Sequence, residues 1–311
     1  MELGYLFILI NSLLLCGMTA VRKEYQLSAG ATIKSTLTFM CISSLFVTVI
    51  GIIYACFTDF AVIKNADELV VGLGVLFAVI LTVNTCLCIF GAKYGSLAIL
   101  TMFAILGTLV ISTVYGLIVN PEVNKLNLFN IIGLVIAGVV ISLGYVAEKL
   151  KGKESVNANK NSKIFILICL LVFLFNGSAL SIYSYFTSNR ASYGSFNFIF
   201  LYLTICTILC AVILLVLRLT RKNKGESFEN NPLKARPIIF TLAYGAVFML
   251  AEFFSLTTTS ILPIVIQAPL SFAVEVVIVA LFDFLVYKQK LTKIQIAQII
   301  LAIVSGVCFA L

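Results

Sequence analysis

No histidine occurs among the 311 residues of this chain. Histidine is the most common general base and metal ligand in proteins, so its absence weighs against most hydrolases and metalloenzymes. Charged residues are also scarce, at 11% of the sequence, whereas they form about a quarter of a soluble domain. All nine cysteines lie in apolar segments, and no loop carries a disulfide framework or a CxxC pair. We expect no metal or other cofactor.

The composition that remains is that of an integral membrane protein. Hydrophobic residues make up 61% of the chain, and the mean hydropathy is +1.14. A formal net charge of +8 would suggest nucleic acid for a soluble protein, but here the Lys and Arg residues lie in short loops between apolar runs. They therefore indicate orientation in the membrane, and no nucleic-acid partner is expected.

Apolar runs long enough to cross a bilayer as a helix, about twenty residues each, can be drawn ten times. The predicted fold is therefore all-α, with ten transmembrane helices and the lipid bilayer as a partner. The predicted spans are residues 3–21, 33–56, 69–91, 95–119, 128–147, 164–186, 195–217, 238–258, 261–286 and 293–311.

The distribution of positive charge predicts how these spans are oriented. The loops after spans 1, 3, 5, 7 and 9 hold eighteen of the 21 Lys and Arg residues, and the other loops hold only Lys64, Lys125 and Arg190. Short loops rich in Lys and Arg remain in the cytoplasm. The ten-span prediction thus places both termini on the outer face of the cell membrane.

An internal repeat divides the predicted spans into two sets of five. Asn11 and Asn176 follow similar apolar runs and are 165 residues apart, as are Leu126 and Leu291 in two further similar segments. The polar segment 148–163 is interpreted as a linker between residues 1–150 and 151–311. Since five is odd, the second half must be inserted upside down, which is a recurrent construction of secondary transporters.

The loops before the last helix of each half resemble those of a known family. They read Asn124-Lys125-Leu126-Asn127 and Gln289-Lys290-Leu291-Thr292. With the two five-helix halves, they make the chain similar to EamA-type members of the drug/metabolite transporter superfamily. The family pattern begins these loops with Glu, which is absent here. The resemblance implies a ten-helix transporter with cytoplasmic termini, whereas the charge distribution predicts outer termini.

Three acidic residues fall inside predicted spans: Glu252, Glu275 and Asp283. A carboxylate at the centre of a spanning helix costs roughly 2.5–3.5 kcal/mol, so such a residue usually faces a cavity or a partner. Asp283 lies near the predicted cytoplasmic boundary, where a solvated helix end explains it. No Lys or Arg lies deep in a span, so Glu252 and Glu275 are predicted to meet a proton or a cation. The alternative is a protonated carboxyl group that hydrogen-bonds a neighbouring helix.

Amide side chains at membrane depth are further candidates for a central cavity. Asn11, Asn84 and Asn176 lie well inside spans, and Gln267 lies early in span 9. The alternative interpretation is that such amides hydrogen-bond between helices and stabilise packing by about 1 kcal/mol. We predict that all four line the substrate site.

One face of span 8 combines aromatic rings with an acid. Tyr244, Phe248 and Glu252 recur every four residues and so share a face. Aromatic rings beside a carboxylate suit an organic cation through cation–π attraction of about 0.5–2 kcal/mol. Among 25 Phe residues such a stripe also arises by chance and then contacts lipid or the protein core.

Together these features predict a secondary transporter, not an enzyme, for a small neutral or cationic organic solute. Alternating access between the two halves would move the solute, with Glu252 or Glu275 coupling transport to protons. The alternatives are a membrane-embedded lipid-modifying enzyme and a receptor or scaffold without transport. The chain is expected to act as a monomer or a homodimer.

Overall fold

The computed structural model describes residues 2–30, 32–58, 64–91, 97–119, 127–151, 162–220, 234–285 and 293–310. Within these ranges the chain forms ten long α-helices and a short 3₁₀ turn, Ala191–Tyr193. The helices are α1 Glu2–Ala29, α2 Ile33–Phe57, α3 Glu68–Gly91, α4 Leu97–Val119, α5 Leu128–Lys151, α6 Ser162–Arg190, α7 Ser195–Thr220, α8 Ala235–Ile261, α9 Ile264–Leu285 and α10 Lys293–Ala310. The predicted all-helical class is confirmed.

Six helices are long and apolar enough to cross a membrane over their described residues, namely α1, α2, α3, α6, α7 and α8. The other four carry shorter apolar stretches: Phe103–Val119, Leu128–Leu143, Ile264–Ile278 and Ile296–Phe309. A multi-pass membrane protein accounts for this set of helices, because every backbone group within a helix is satisfied without water. Ten crossings stay a prediction.

The helices differ from the predicted spans mainly where they extend beyond the apolar run. α1 continues from the predicted end at residue 21 to Ala29, and α6 continues from residue 186 to Arg190. The extensions are polar but contain no proline or internal glycine, so nothing in their sequence ends the helix. At the end of the connection after α6, Gly194 adopts a φ of 87°, a left-handed conformation that favours glycine.

Helix pairs from different parts of the chain form the bundle. The most extensive contacts join α1 to α8 and α4 to α6, followed by α2 with α7 and α5 with α10. Small residues allow the α4–α6 approach: a Cβ atom at Gly107 would overlap the backbone carbonyl of Phe173, and one at Gly177 would overlap Gly107. Such small-residue contacts are how helices pack closely in membranes.

The largest buried cluster lies where α1, α2, α3, α6, α7, α8 and α9 meet, and aromatic side chains are prominent in it. Tyr202, Phe186 and Phe198 are its largest fully buried side chains. Many Leu, Ile and Val residues instead point outward along the helices, such as Ile118 at 73% exposure. A surface of this kind suits lipid and not water.

Candidate functional site

A small cavity of about 20 Å³, room for about one water molecule, lies between α2, α3, α7 and α8. Its walls combine aromatic, hydroxyl, thiol and aliphatic side chains, and none of them is charged. The lining residues are Phe39, Met40, Ser43, Ser44, Leu81, Thr85, Leu203, Cys206, Tyr244 and Phe248. The cavity is therefore a mostly apolar space with a few polar positions, and a solute larger than water enters it only if the surrounding helices move apart.

Aromatic rings from α2 and α8 form one wall of this cavity. Tyr244 and Phe248 stack with ring centroids 5.8 Å apart and an interplanar angle of 10°. Phe39 lies 4.6 Å from Tyr244 and extends the row onto α2. Two of the residues predicted for the central site thus line the cavity, and their ring faces are available to an organic group or a cation.

Hydroxyl groups connect α2 to α7 beside the cavity. Thr207 donates to Ser44 over 2.9 Å, and Thr48 lies 3.4 Å from both Thr204 and Thr207. Most of these hydroxyls also bond to their own helix backbone, as Thr48 does to the Ser44 carbonyl at 2.9 Å. The network therefore needs no ligand to be satisfied, yet it gives the contact between the two helices a polar seam.

Glu252 lies one helical turn beyond Phe248 and outside the cavity lining. The hydroxyl of Tyr183, on α6, donates a hydrogen bond to Glu252 Oε2. Tyr183 also lies 3.2 Å from the hydroxyl of Tyr202, on α7, and stacks on Phe77 at 4.6 Å. The acid thus belongs to a polar chain through three helices that is enclosed by aromatic rings.

Glu275 has a different environment. It lies on α9, partly exposed, beside a small apolar cluster that includes Phe272. Among the described residues it forms no hydrogen bond and no ion pair. The side chain of Asp283 lies outside the described residues.

Asn84 and Asn176 contact one another directly. Asn84 Nδ2 donates to Asn176 Oδ1 over 3.1 Å, and Asn176 Nδ2 donates to the Ala104 carbonyl and to Thr108 Oγ1, each at 3.1 Å. This network joins α3, α4 and α6. Both amides thus form the hydrogen bonds between helices that the packing interpretation requires, and neither residue lines the cavity.

Three predicted site residues carry a buried oxygen without a hydrogen-bond partner among the described residues: Asn11, Asn84 and Gln267. Gln267 keeps only a 3.4 Å bond from its Nε2 to the Ser255 carbonyl. None of the three lines the cavity. Buried polar atoms in native proteins are nearly always paired, so each of these oxygens is an acceptor available to water or to a donor group.

Arg22 is a feature that the sequence prediction missed. Because α1 extends to Ala29, Arg22 is a helical residue whose Nε is buried without a hydrogen-bond partner among the described residues. Its charge reaches Tyr244 and Cys88 electrostatically. Arg22 lies at the end of the apolar part of α1, so the prediction that no Lys or Arg lies deep in a span stays a prediction.

Tyr183 and Tyr202 were not predicted as site residues. By sequence Tyr183 fits the tyrosines of a membrane interface, but it is only 3% exposed and Tyr202 is fully buried. One signal points to Tyr183: it follows Asn176 by seven residues and so shares a face of α6 with it. For Tyr202, the only signal is that Cys206 and Cys210 follow at four-residue intervals.

Comparison with known proteins establishes the fold alone. No family model and no curated protein matches the sequence. Twenty-two chains of solved structures match the fold. One, described only as "Crystal structure of protein", superimposes with a TM-score of 0.70 over 99% of this chain and 96% of its own, at 13% identity. The chain therefore shares a known helical fold along nearly its whole length.

Proposed function

We propose that this protein is a secondary transporter that moves a small neutral or cationic organic solute by alternating access between residues 1–150 and 151–311. The observation that carries the proposal is the position of the cavity. It lies between α2, α3, α7 and α8, which are the second and third helices of each proposed half. A substrate site between inverted repeats is the arrangement that alternating access requires.

The pattern of helix contacts supports two equivalent halves. If each helix is exchanged with the one five places along, the α2–α7 and α5–α10 contacts map onto themselves. The α1–α8 contact maps onto α3–α6, and the α4–α6 contact maps onto α1–α9. All of these contacts occur in the bundle. Inverted insertion of the two halves, as in the drug/metabolite transporters that the sequence resembles, would account for this pattern.

The cavity walls favour the proposed class of solute. Ser43, Ser44 and Thr85 offer hydroxyls to a polar group, while the rings of Tyr244 and Phe248 offer apolar or cation–π contacts. A positively charged group is expected to lie against the ring faces of Tyr244 and Phe248, because the lining has no charged side chain to repel it. A solute with a large negative charge would find no charged partner in the lining.

Glu252 is proposed as the site that couples transport to protons. A charged carboxylate at this depth costs about 2.5–3.5 kcal/mol, and Tyr183 supplies only one neutral donor against that cost. A proton, or a cationic solute one turn away at Phe248, would compensate the charge. Glu275, which has no partner among the described residues, is the second proposed proton site.

The proposal is tested with the purified protein. A thermal-shift screen against metabolites and organic cations identifies a ligand, since ligands that bind the native state raise its stability. Uptake of that ligand into proteoliposomes with an imposed pH gradient then measures transport. A ligand that stabilises the protein but never crosses a sealed membrane would support a receptor instead. Chemical conversion of the ligand by detergent-solubilised protein would support a membrane-embedded enzyme.

A further inference from the structure

Among the described residues, two ion pairs connect the proposed halves of the bundle. Arg190 Nε lies 2.5 Å from Asp67 Oδ2, and Arg236 Nη2 lies 3.5 Å from Glu24 Oε2. Arg190 is the last residue of α6, and Asp67 immediately precedes α3. Glu24 lies in the last two turns of α1, and Arg236 is the second residue of α8. We name these contacts the α3/α6 pair and the α1/α8 pair.

The two pairs occupy equivalent positions. Each joins the C-terminal part of the first helix of one half to the start of the third helix of the other half. The charges are exchanged between them, because the acid is on the third helix in the α3/α6 pair and on the first helix in the α1/α8 pair. Equivalent positions with complementary charge suggest a shared role, not chance contacts on a surface.

The pairs lie at opposite ends of the bundle. The end of α1 and the start of α2 are separated only by residues 30–32 and therefore share one end. α2 then runs for 25 residues, roughly 37 Å at 1.5 Å per residue, before the chain reaches Asp67. The α1/α8 pair is consequently at the end rich in Lys and Arg, and the α3/α6 pair is at the other.

The helices that carry these pairs also line the cavity. α3 contributes Leu81 and Thr85 to the cavity wall, and α8 contributes Tyr244 and Phe248. If the start of α3 moves away from α6, the cavity opens towards the Asp67 end. Movement of the start of α8 away from α1 opens it towards the Glu24 end.

We propose that the α3/α6 and α1/α8 pairs are two equivalent latches, each of which closes one end of the central cavity and breaks when that end opens. This inference rests on the proposed alternating access. Both ion pairs are formed in the present structure. Because the paired side chains are partly exposed, each latch is weak enough to break during a transport cycle.

A single substitution can break the α3/α6 pair without removing the cap of α3. Asp67 Oδ1 accepts the backbone N–H of Val70 over 2.8 Å and thereby caps α3. Asp67→Asn retains an oxygen for this cap but removes the charge that meets Arg190. Glu24→Gln neutralises the other latch in the same way. Glu68→Gln is the matched control, since Glu68 is an exposed acid next to Asp67 that forms no ion pair among the described residues.

The test measures access to the cavity from each side of the membrane. Cys206 lines the cavity and is 1% exposed, so it serves as the reporter after the other eight cysteines are replaced by alanine. Sealed vesicles of defined orientation are treated with a membrane-impermeant maleimide from either side. We expect Asp67→Asn to raise the ratio of labelling from the Asp67 side to labelling from the Glu24 side by roughly two- to fivefold.

Glu24→Gln is expected to lower the ratio of labelling from the Asp67 side to labelling from the Glu24 side. The double variant is expected to return this ratio to its wild-type value, with faster labelling from both sides. A ratio that changes no more than in Glu68→Gln, or that moves the same way in both single variants, would overturn the proposal. Labelling needs no solute, so a side-selective shift without any transport would reject the transport function and retain the latches.

A second measurement covers the case in which the cysteine-depleted protein does not fold. Amide hydrogen exchange of the chain with all its cysteines reports opening at each end separately. Asp67→Asn should speed exchange at the end of α6 and the start of α3, and Glu24→Gln at the end of α1 and the start of α8. Equal exchange at both ends in the two variants would overturn the proposal.

Discussion

Replacement of Tyr183 by Phe tests whether the acid-bearing polar chain stabilises the bundle. The substitution removes one hydroxyl and retains the ring that stacks on Phe77 at 4.6 Å. Two buried atoms then lose their partner: Glu252 Oε2, which accepts from Tyr183, and the Tyr202 hydroxyl, 3.2 Å from it. The change in stability therefore isolates hydrogen bonding from packing.

The expected magnitude follows from two opposing considerations. A buried polar atom left without a partner costs about 1–3 kcal/mol in a soluble protein. Between transmembrane helices the measured contributions average only about 0.6 kcal/mol, because the unfolded chain in the membrane also finds partners. For two atoms we expect Tyr183→Phe to lower the free energy of unfolding by about 1–2 kcal/mol.

Unfolding by SDS titration in mixed micelles measures this difference. Tyr185→Phe is the matched control: Tyr185 is on the same helix, lines an open groove and forms no hydrogen bond through its hydroxyl among the described residues. Its loss should cost less than about 0.5 kcal/mol. In a Glu252→Met background, Tyr183→Phe should cost about half as much, since only Tyr202 then loses a partner. Equal costs in both backgrounds would refute the proposed chain.

Three further predictions concern coupling, packing and pH. Glu252→Gln should bind the solute but lose the dependence of uptake on the pH gradient, because the amide cannot exchange a proton; uptake that kept the wild-type dependence would exclude a coupling role. Gly107→Ala should lower the free energy of unfolding by about 1–3 kcal/mol or more in the same SDS titration, since its Cβ would overlap the Phe173 carbonyl. Gly72→Ala, with open space around it, should not lower it. The Val70 amide, and secondly Arg190, hold the pKa of Asp67 below its usual value. The stabilisation that the α3/α6 pair gives the folded protein is therefore complete above about pH 4 and is lost only as the pH falls through the lowered pKa. Wild type and Asp67→Asn should therefore show parallel pH dependence of vesicle labelling between about pH 5 and 8, and divergence there would contradict the assignment.

The ten helices could be predicted because the sequence of a membrane helix carries a strong signal. Every predicted span except the first has a helix whose bounds lie within about four residues of the predicted ones. The prediction was less accurate at the end of α1. There the chain leaves the apolar region at Arg22 but stays helical to Ala29, since hydropathy reports membrane depth and not helix formation.

The partners of Glu252 could not be predicted for a different reason. Its contact with Tyr183 depends on how α8 and α6 are rotated about their axes. In a soluble helix the apolar stripe reveals that rotation, but α6 is apolar on nearly every face, so the sequence gives no direction. The sequence therefore predicts how deep Glu252 lies in its helix but not which residues it contacts.

The hydroxyl contact between α2 and α7 could not be predicted because the rotation of each helix about its axis was unknown, and also for a second reason. Ser and Thr side chains inside a helix bond to the carbonyl four residues earlier, as Thr207 does to Leu203 at 2.9 Å. Because that bond satisfies them locally, their presence does not require a partner helix. Only the close approach of α7 to α2 makes Thr207 and Ser44 a cross-helix contact.

The position of α7 explains how a proton at Glu252 would affect a cavity that the acid does not line. Tyr202, joined to Glu252 through Tyr183, lies on α7 one turn before Cys206, which lines the cavity and contacts Thr82 at 3.4 Å. A helix transmits displacement along its length because its backbone bonds are all internal. If loss of the Glu252 proton rearranges the acid–tyrosine chain, Tyr202 and Cys206 must move together. Coupling through α7 therefore requires no direct contact between the proton site and the solute, and Tyr183→Phe should weaken the pH dependence of uptake without changing any residue of the cavity wall.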